Sequence, residues 1–426
     1  MQLVNITNGG ITMTKPLRYL FLFFIFTIFP VVSSASKKEN NFLVISDIHL
    51  NQASLHAMAI SPAKGNEEND LDQATFEKII SEIDRNIKNG IVAQPNFIIV
   101  LGDILGHMRA SFDSVLKSES AVFSVLKKNF PHTPIFYTFG NNDSLKTNYG
   151  PFEDSNRSDL YKSPYNVAKL NGGWTDGFLS TGTICKNKES NFPCIITEDT
   201  TNGYYSAYLK SRLRLISLNS LLFSPNRIQV NEQNAMEELQ WLEGQLKIAR
   251  SNQESVLISM HVPPGNNVYD HTNFWLPKEQ ALFLKMVKTY QYTIIGLLAS
   301  HTHAEELKVI KDSSKRTIAG IYMIAALSTS HGNEPSVKTF YFLKRKGQWL
   351  LTNYETFHFS VDHSNLLFNK LYDYKNYYCK PGQKNGLFQC LDNITANKMK
   401  KYFSAGNKNF GGIMRSPDDV HLIAQE

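Results

Sequence analysis

Three times before residue 144, a run of large apolar side chains stops abruptly on a short polar group carrying a carboxylate. Phe42-Leu43-Val44-Ile45 runs into Ser46-Asp47-Ile48-His49, Phe97-Ile98-Ile99-Val100-Leu101 stops at Gly102-Asp103, and residues 134–139 stop at Gly140-Asn141-Asn142-Asp143. Uninterrupted apolar runs of this length suit strands buried on both faces, as in a parallel sheet covered by helices. Between them the spacing becomes helical. Leu71, Phe76, Ile79, Ile80, Ile83 and Ile87 line one face of a segment closed by Asn89-Gly90, and residues 115–130 repeat that pattern. Strands alternating with helices predict βαβ units and a largely parallel sheet.

The second half repeats the theme with imidazoles at the strand ends. Residues 204–209 and 213–218 read as two strands joined by a short turn, and 231–249 as a helix with a broad apolar face (Met236, Leu239, Trp241, Leu242, Leu246, Ile248). The strand at 256–260 ends on His261; after a helix at 281–290, the strand at 293–299 ends on Ser300-His301-Thr302-His303. Segments 307–310, 318–326, 336–344 and 349–354 read as antiparallel strands of a second sheet. Residues 54–69 read as a surface loop, and 149–200 as an aromatic-rich insertion over the site. Residues 357–426 are expected to form a helical extension.

Composition adds an address. Lys15 and Arg18 precede an apolar run at 19–32 and the small-residue pattern Ser33-Ser34-Ala35, which predicts a signal peptide over residues 1–35, with Met13 as a plausible start. The run is short for a membrane span. The expected location is secreted or periplasmic. Removing these residues lowers the formal charge of +6 by two. Such mild basicity suits an anionic substrate, whereas no Lys/Arg cluster with interleaved aromatics argues for duplex nucleic acid. Cys185 with Cys194 and Cys379 with Cys390 form two close pairs, which in an exported chain predict two local disulfides. Sequons stand at Asn156 and Asn393.

Together the strand ends supply Asp47, His49, Asp103, Asn141, His261, His301 and His303. Each alone is unremarkable, since D-x-H and Gly-Asp are common at turns. Carboxyl ends of strands are nevertheless where open α/β sheets gather ligands, and five such ends carrying metal-binding groups favour a metal centre. Mixed oxygen and imidazole donors suit zinc, manganese or iron and disfavour calcium. Seven donors exceed one ion's needs, so two divalent ions sharing Asp103 are expected, a separation of about 3.5–4 Å being usual for such pairs.

From about Val44 to His303 this series resembles the calcineurin-like binuclear metallophosphoesterases, whose motifs run D-x-H, G-D, G-N-H-D/E, a lone His and G-H-x-H. His261-Val262-Pro263-Pro264-Gly265 is similar to the H-[IV]-P-P-G of acid sphingomyelinase-like phosphodiesterases, His107 sits where that subfamily carries a catalytic histidine, and Ser328–Ser336 is similar to one of its loops. The resemblance implies an α/β fold, a four-layer α-β-β-α sandwich of two mixed sheets with an aromatic-rich insertion and a C-terminal helical cap. The catalytic domain would span 36–356. Asp47, His49, Asp103 and His303 would hold one ion, and Asp103, Asn141, His261 and His301 the other, both zinc. Two residues depart from the pattern: Ser300 replaces a glycine, and Asn142 replaces the histidine that contacts the scissile phosphate.

The implied reaction is hydrolysis of a phosphodiester or nucleotide phosphoanhydride through a metal-bridged hydroxide. His107 would protonate the leaving oxygen, Asn142 would donate a hydrogen bond to the phosphoryl group without carrying a proton, and Asp143 would orient a ligand from behind. Small-molecule or lipid phosphoesters are the expected substrates, with peripheral membrane contact for a lipid. Tyr149, Phe152, Tyr161, Tyr165, Trp174, Phe178, Tyr269, Phe274 and Trp275 could stack a base or cup a choline, although core packing is the first reading of these aromatics. Sphingomyelin or polyphosphate cleavage are the alternatives within the family, and a catalytically silent secreted binding protein is the alternative outside it. The oligomeric state leaves no signature in the sequence.

Overall fold

The computed structural model describes residues 39–51, 70–107, 112–144, 148–150, 185, 192–199, 201–228, 232–329, 331, 333–362, 365–383, 386–405 and 420–424. The predicted signal peptide, the loop at 54–69, the sequon at Asn156 and the aromatics Phe152, Tyr161, Tyr165, Trp174 and Phe178 lie outside them. In chain order the structure runs β1 (Asn40–Ile45), α1 (Gln73–Lys88), β2 (Ile98–Val100), α2 (Phe112–Asn129) and β3 (Ile135–Tyr137), the alternation that the pattern predicts. Then follow β4 (Cys194–Asp199), β5 (Tyr204–Lys210), β6 (Leu213–Ser217), α3 (Glu232–Ser251), β7 (Ser255–Ser259), α4 (Pro277–Thr289) and β8 (Ile294–Ala299). The last elements are β9 (Leu307–Asp312), β10 (Thr317–Met323), β11 (Ser336–Arg345), β12 (Gln348–Asp362), β13 (Asn365–Asp373), α5 (Tyr374–Tyr378), α6 (Ala396–Lys400) and β14 (His421–Ala424).

The strands form two mixed sheets, ordered β13-β12-β11-β1-β2-β3 and β14-β9-β10-β8-β7-β6-β5-β4. Each has a parallel centre: β1, β2 and β3 in register through Leu43, Ile98 and Ile135 in the first, and β6, β7, β8 and β10 in the second. All carboxyl ends of a parallel set lie along one edge, which is what lets residues distant in sequence converge. The inner faces pack together, with Tyr322 of β10 edge-on to Phe340 of β11 and Tyr354 of β12, each at 5.9 Å. Phe76, Ile79, Ile80 and Ile83 of α1 and Phe123 of α2 share that core, while α3 and α4 pack with the second sheet, giving the four layers. Helix α1 starts where Asp72 accepts from the Thr75 N–H at 2.8 Å, a cap worth about 1 kcal/mol, and ends with Arg85 and Lys88 near its negative pole.

Three expectations about the periphery change. The segments read as a separate antiparallel sheet instead extend the two parallel sets, β11 pairing antiparallel with β1 and β10 parallel with β8. The outer edges of those sets carry backbone groups that need partners, and the local pattern names a strand without naming its neighbour. The boundary at 356 falls inside β12, and the predicted helical extension begins with strand: Phe357 and Phe359 are buried around a more exposed His358, a period of two that pairs with β13. Helices α5 and α6 come later, and β14 returns to the edge of the second sheet. The tail of the predicted insertion is the edge strand β4. Glu39–Glu426 is one compact unit, and both cysteine pairs, Cys185–Cys194 and Cys379–Cys390, are bridged. Among the described residues no helix is long and apolar enough to cross a membrane.

Candidate metal centre

The strand ends do not simply stop; they turn left-handed. Asp47, His49, Asp103, His301 and His303 all have positive φ, between 47° and 77°. Asp and His tolerate this region better than most residues, and such strain concentrates where the surrounding structure demands a side-chain direction. The loops brace one another: Asp47 N–H donates to Gly102 O at 3.1 Å and His49 N–H to Asp103 O at 2.9 Å. Two motif glycines have a steric reason. A Cβ at Gly140 would stand 2.1 Å from Asp103 Oδ1, and one at Gly102 would stand 2.4 Å from Gly140 N, so the β2 and β3 loops touch only because both lack side chains.

This packing gathers all seven sequence-predicted ligands. Asp47, His49 and His303 form one group and Asp103, His261 and His301 another, the ligand atoms of each lying within 4.8 Å of one another. His303 Nε2 lies 3.3 Å from Asp47 Oδ1 and 3.1 Å from His49 Nε2. His261 Nε2 lies 3.3 Å from Asp103 Oδ2, 3.0 Å from Asn141 Oδ1 and 3.8 Å from Asp47 Oδ1. Asp103 joins the groups, with Oδ2 also 3.6 Å from His49 Nε2.

The electrostatics are those of a cation site. Asp47 is completely buried, and among the described residues neither carboxylate oxygen has a hydrogen-bond partner. A charge left so costs several kcal/mol. Burial accordingly pushes its carboxyl up to about 7, with His261 opposing and Asp103 adding to the rise. At Asp103 burial also pulls upward, but the charge and hydrogen bond of His261 hold the carboxyl well below its usual range. Burial disfavours the His261 cation, yet Asp103 and Asp47 raise it to about 10. The residues fit divalent ions. Two ligand atoms about 2.0–2.1 Å from a tetrahedral zinc stand roughly 3.3–3.4 Å apart, the spacing seen between His303 and Asp47 and between His261 and Asp103.

Around the donors stand residues that hold them. His261 Nδ1 is fixed by Leu101 O at 2.5 Å, presenting Nε2 to the cluster. Asn142 donates its backbone and side-chain N–H groups to the two Asp103 oxygens, each at 2.8 Å. Its amide is thus turned to Asp103, where the sequence reading aimed it at a phosphoryl oxygen; a side chain one bond shorter in reach than histidine meets the nearest strong acceptor first. Asp143 lies behind, accepting from the N–H groups of Gly140 and Asp103 at 2.6 and 2.8 Å and of Ile104 at 2.8 Å.

The calcineurin-like phosphoesterase family profile matches residues 41–305. This chain belongs to that family. Among relatives of this calcineurin-like phosphoesterase, the cyclic GMP-AMP phosphodiesterase SMPDL3A of Bos taurus is 24% identical over 320 residues, covering 70% of this chain and 66% of that protein. Sphingomyelin phosphodiesterase A of Dictyostelium discoideum is 25% identical over 338 residues, covering 76% and 52%. The chain therefore spans between half and two thirds of these relatives' length. A solved dimetal phosphatase from Danio rerio aligns at 15% identity with a TM-score of 0.43, covering 78% of this chain and 99% of that one.

In this phosphoesterase His107 lies beside the first group of donors, its ring stacked on His49 at 4.3 Å. Sequence reading missed its partner. Asp70 receives both the His107 Nδ1 at 2.7 Å and the His107 backbone N–H at 2.6 Å. Burial works against the His107 cation, but Asp70 raises its pKa above the ordinary imidazole value. Asp70 stood at the end of a polar stretch with no spacing to mark it. Also missed was His331, edge-on to the His303 ring at 4.6 Å and stacked on Tyr269, while Tyr149, read as a candidate stacking aromatic, sets its hydroxyl 3.0 Å from His301 Nε2. Phe274 and Trp275 are buried in the core of the second sheet.

Proposed function

We propose that this chain is a secreted, zinc-dependent phosphodiesterase that hydrolyses a phosphodiester or a nucleotide phosphoanhydride. The observation carrying this reading is the convergence of two carboxylates, four imidazoles and the Asn141 oxygen from five strand ends, with Asp47 buried and without a hydrogen-bond partner among the described residues. The paired cysteines and the apolar leader support export. Relatives named for cyclic GMP-AMP and sphingomyelin favour a diester over a monoester.

Asp47, His49, Asp103 and His303 would hold one ion and Asp103, Asn141, His261 and His301 the second. Bound ions of this kind neutralise phosphoryl oxygens and lower the pKa of water. The chain supplies the rest. Asp103, gripped by Asn142, keeps its two oxygens directed at both groups, and Asp143 fixes the loop that carries it. His107 delivers the proton: water gives up a proton to solvent as its oxygen bonds to phosphorus, the ester P–O bond breaks, the departing oxygen takes the proton from His107, and His107 is reprotonated from solvent. Asp70 holds Nδ1 and so leaves Nε2 for that transfer.

The test is a panel of ATP, ADP, CDP-choline, a cyclic dinucleotide, sphingomyelin and polyphosphate, with bis(p-nitrophenyl) phosphate as reporter, run on metal-loaded and chelator-stripped protein. Metal-dependent turnover of a diester or pyrophosphate is expected. No turnover by loaded protein that retains two ions would replace the enzyme reading with a binding one.

A further inference from the structure

The ligands of the two groups are not held alike, and part of the difference traces to one dipeptide. Asn141 Nδ2 donates to Asn148 Oδ1 at 2.8 Å, which leaves Asn141 Oδ1 facing His261. The next residue, Tyr149, sets its hydroxyl 3.0 Å from His301 Nε2, its ring at 86° to the imidazole. Tyr149 is itself pinned from both sides: its N–H donates to Asn141 O and its carbonyl accepts from Ile228 N–H, both at 2.9 Å, with φ at 57°.

We propose that Asn148 and Tyr149 are positioning residues that preform the Asn141/His301 half of the centre, so that this half takes up its divalent cation more tightly than the Asp47/His49/His303 half. The inference rests on the metal-centre reading above. A ligating imidazole carries its proton on the nitrogen that does not ligate, and a partner there fixes both tautomer and ring direction. Tyr149 occupies Nε2 of His301 and leaves Nδ1 for the ion. An amide ligates only through oxygen, and Asn148, by holding the nitrogen, keeps that oxygen on the cluster side. In the other half, His49 Nδ1 and both Asp47 oxygens lack such partners among the described residues.

The experiment is calorimetric titration of chelator-stripped protein with Zn2+, with metal content after dialysis as a second readout. The parent should show a tighter and a weaker event. Tyr149→Phe and Asn148→Ala should each weaken the tighter event by about 10- to 100-fold and leave the weaker one in place. Asn148→Asp, which keeps the acceptor oxygen, should stay near the parent. Isotherms of Tyr149→Phe and Asn148→Ala that superimpose on a two-ion parent overturn the clamp alone. A parent binding less than one ion overturns the metal-centre reading beneath it.

Discussion

The two halves of the metal centre share Asp103 and differ in support. In one, each ligand has a second contact that fixes it: Asn142 on Asp103, Leu101 O on His261, Asn148 on Asn141, Tyr149 on His301. In the other, Asp47 and the far nitrogen of His49 have no such partner among the described residues, and His49 instead stacks against His107. The contrast teaches a division of labour. The candidate ligands are fixed on the side of β2, β3 and β7, whereas the side built from β1 lies against His107, the proposed proton donor. An ion needs order to be held, and the step beside His107 needs access; the side chain of His107 is 19% exposed while that of Asp70 beneath it is fully buried.

The sharpest break of the comparison is at the residue both halves share. Asp103→Asn should drop metal content below one ion per chain and reduce hydrolysis of bis(p-nitrophenyl) phosphate by more than about a hundredfold, beyond what losing an outer partner costs. Retention of two ions would show that Asp103 joins nothing. Next comes the exposed side. His107→Ala should slow esters with alkoxide leaving groups by about 10²- to 10⁴-fold while sparing p-nitrophenolate, which needs no proton, and Asp70→Asn should show the same selectivity at smaller size. Equal losses on both leaving groups would remove the acid role.

A steric change tests the tethered side. Gly140→Ala drives a methyl into Asp103 Oδ1 and should cost about 1–3 kcal/mol in urea unfolding, together with the tighter metal event; unchanged stability would mean the loops yield. The smallest effect is a pH control behind the same side. Burial, and then the charge of Asp143, raise the Glu119 carboxyl well above 4.5, and Tyr137 faces the same pair. The folded chain thus keeps a proton that the unfolded chain releases, so this group's contribution is present below 4.5 and lost as pH rises above it. Glu119→Gln should flatten that decline above pH 4.5, with both metal affinities unchanged. A parallel pH dependence in the two proteins would contradict the assignment.

Much of this was legible because strand ends announce themselves. Four or five apolar residues followed by Asp, Asn or His give the element and the direction of its chemistry together, so Asp47, Asp103, Asn141, His261, His301 and His303 needed only the parallel topology to meet. What stayed hidden depends on partners distant in sequence. Asp70 reaches His107 across 37 positions and Asn142 reaches Asp103 across 39, and neither spacing repeats anything local. The pairing of β11 with β1 is likewise set by which edge is open. Tyr149 read as the first residue of an insertion because its role is a single hydroxyl contact made across the site.

The most direct trial of the whole account is anomalous diffraction at the zinc edge from crystals grown with zinc. Two peaks are expected, one among Asp47, His49, Asp103 and His303 and one among Asp103, Asn141, His261 and His301. A single peak, or peaks away from these seven side chains, would contradict it.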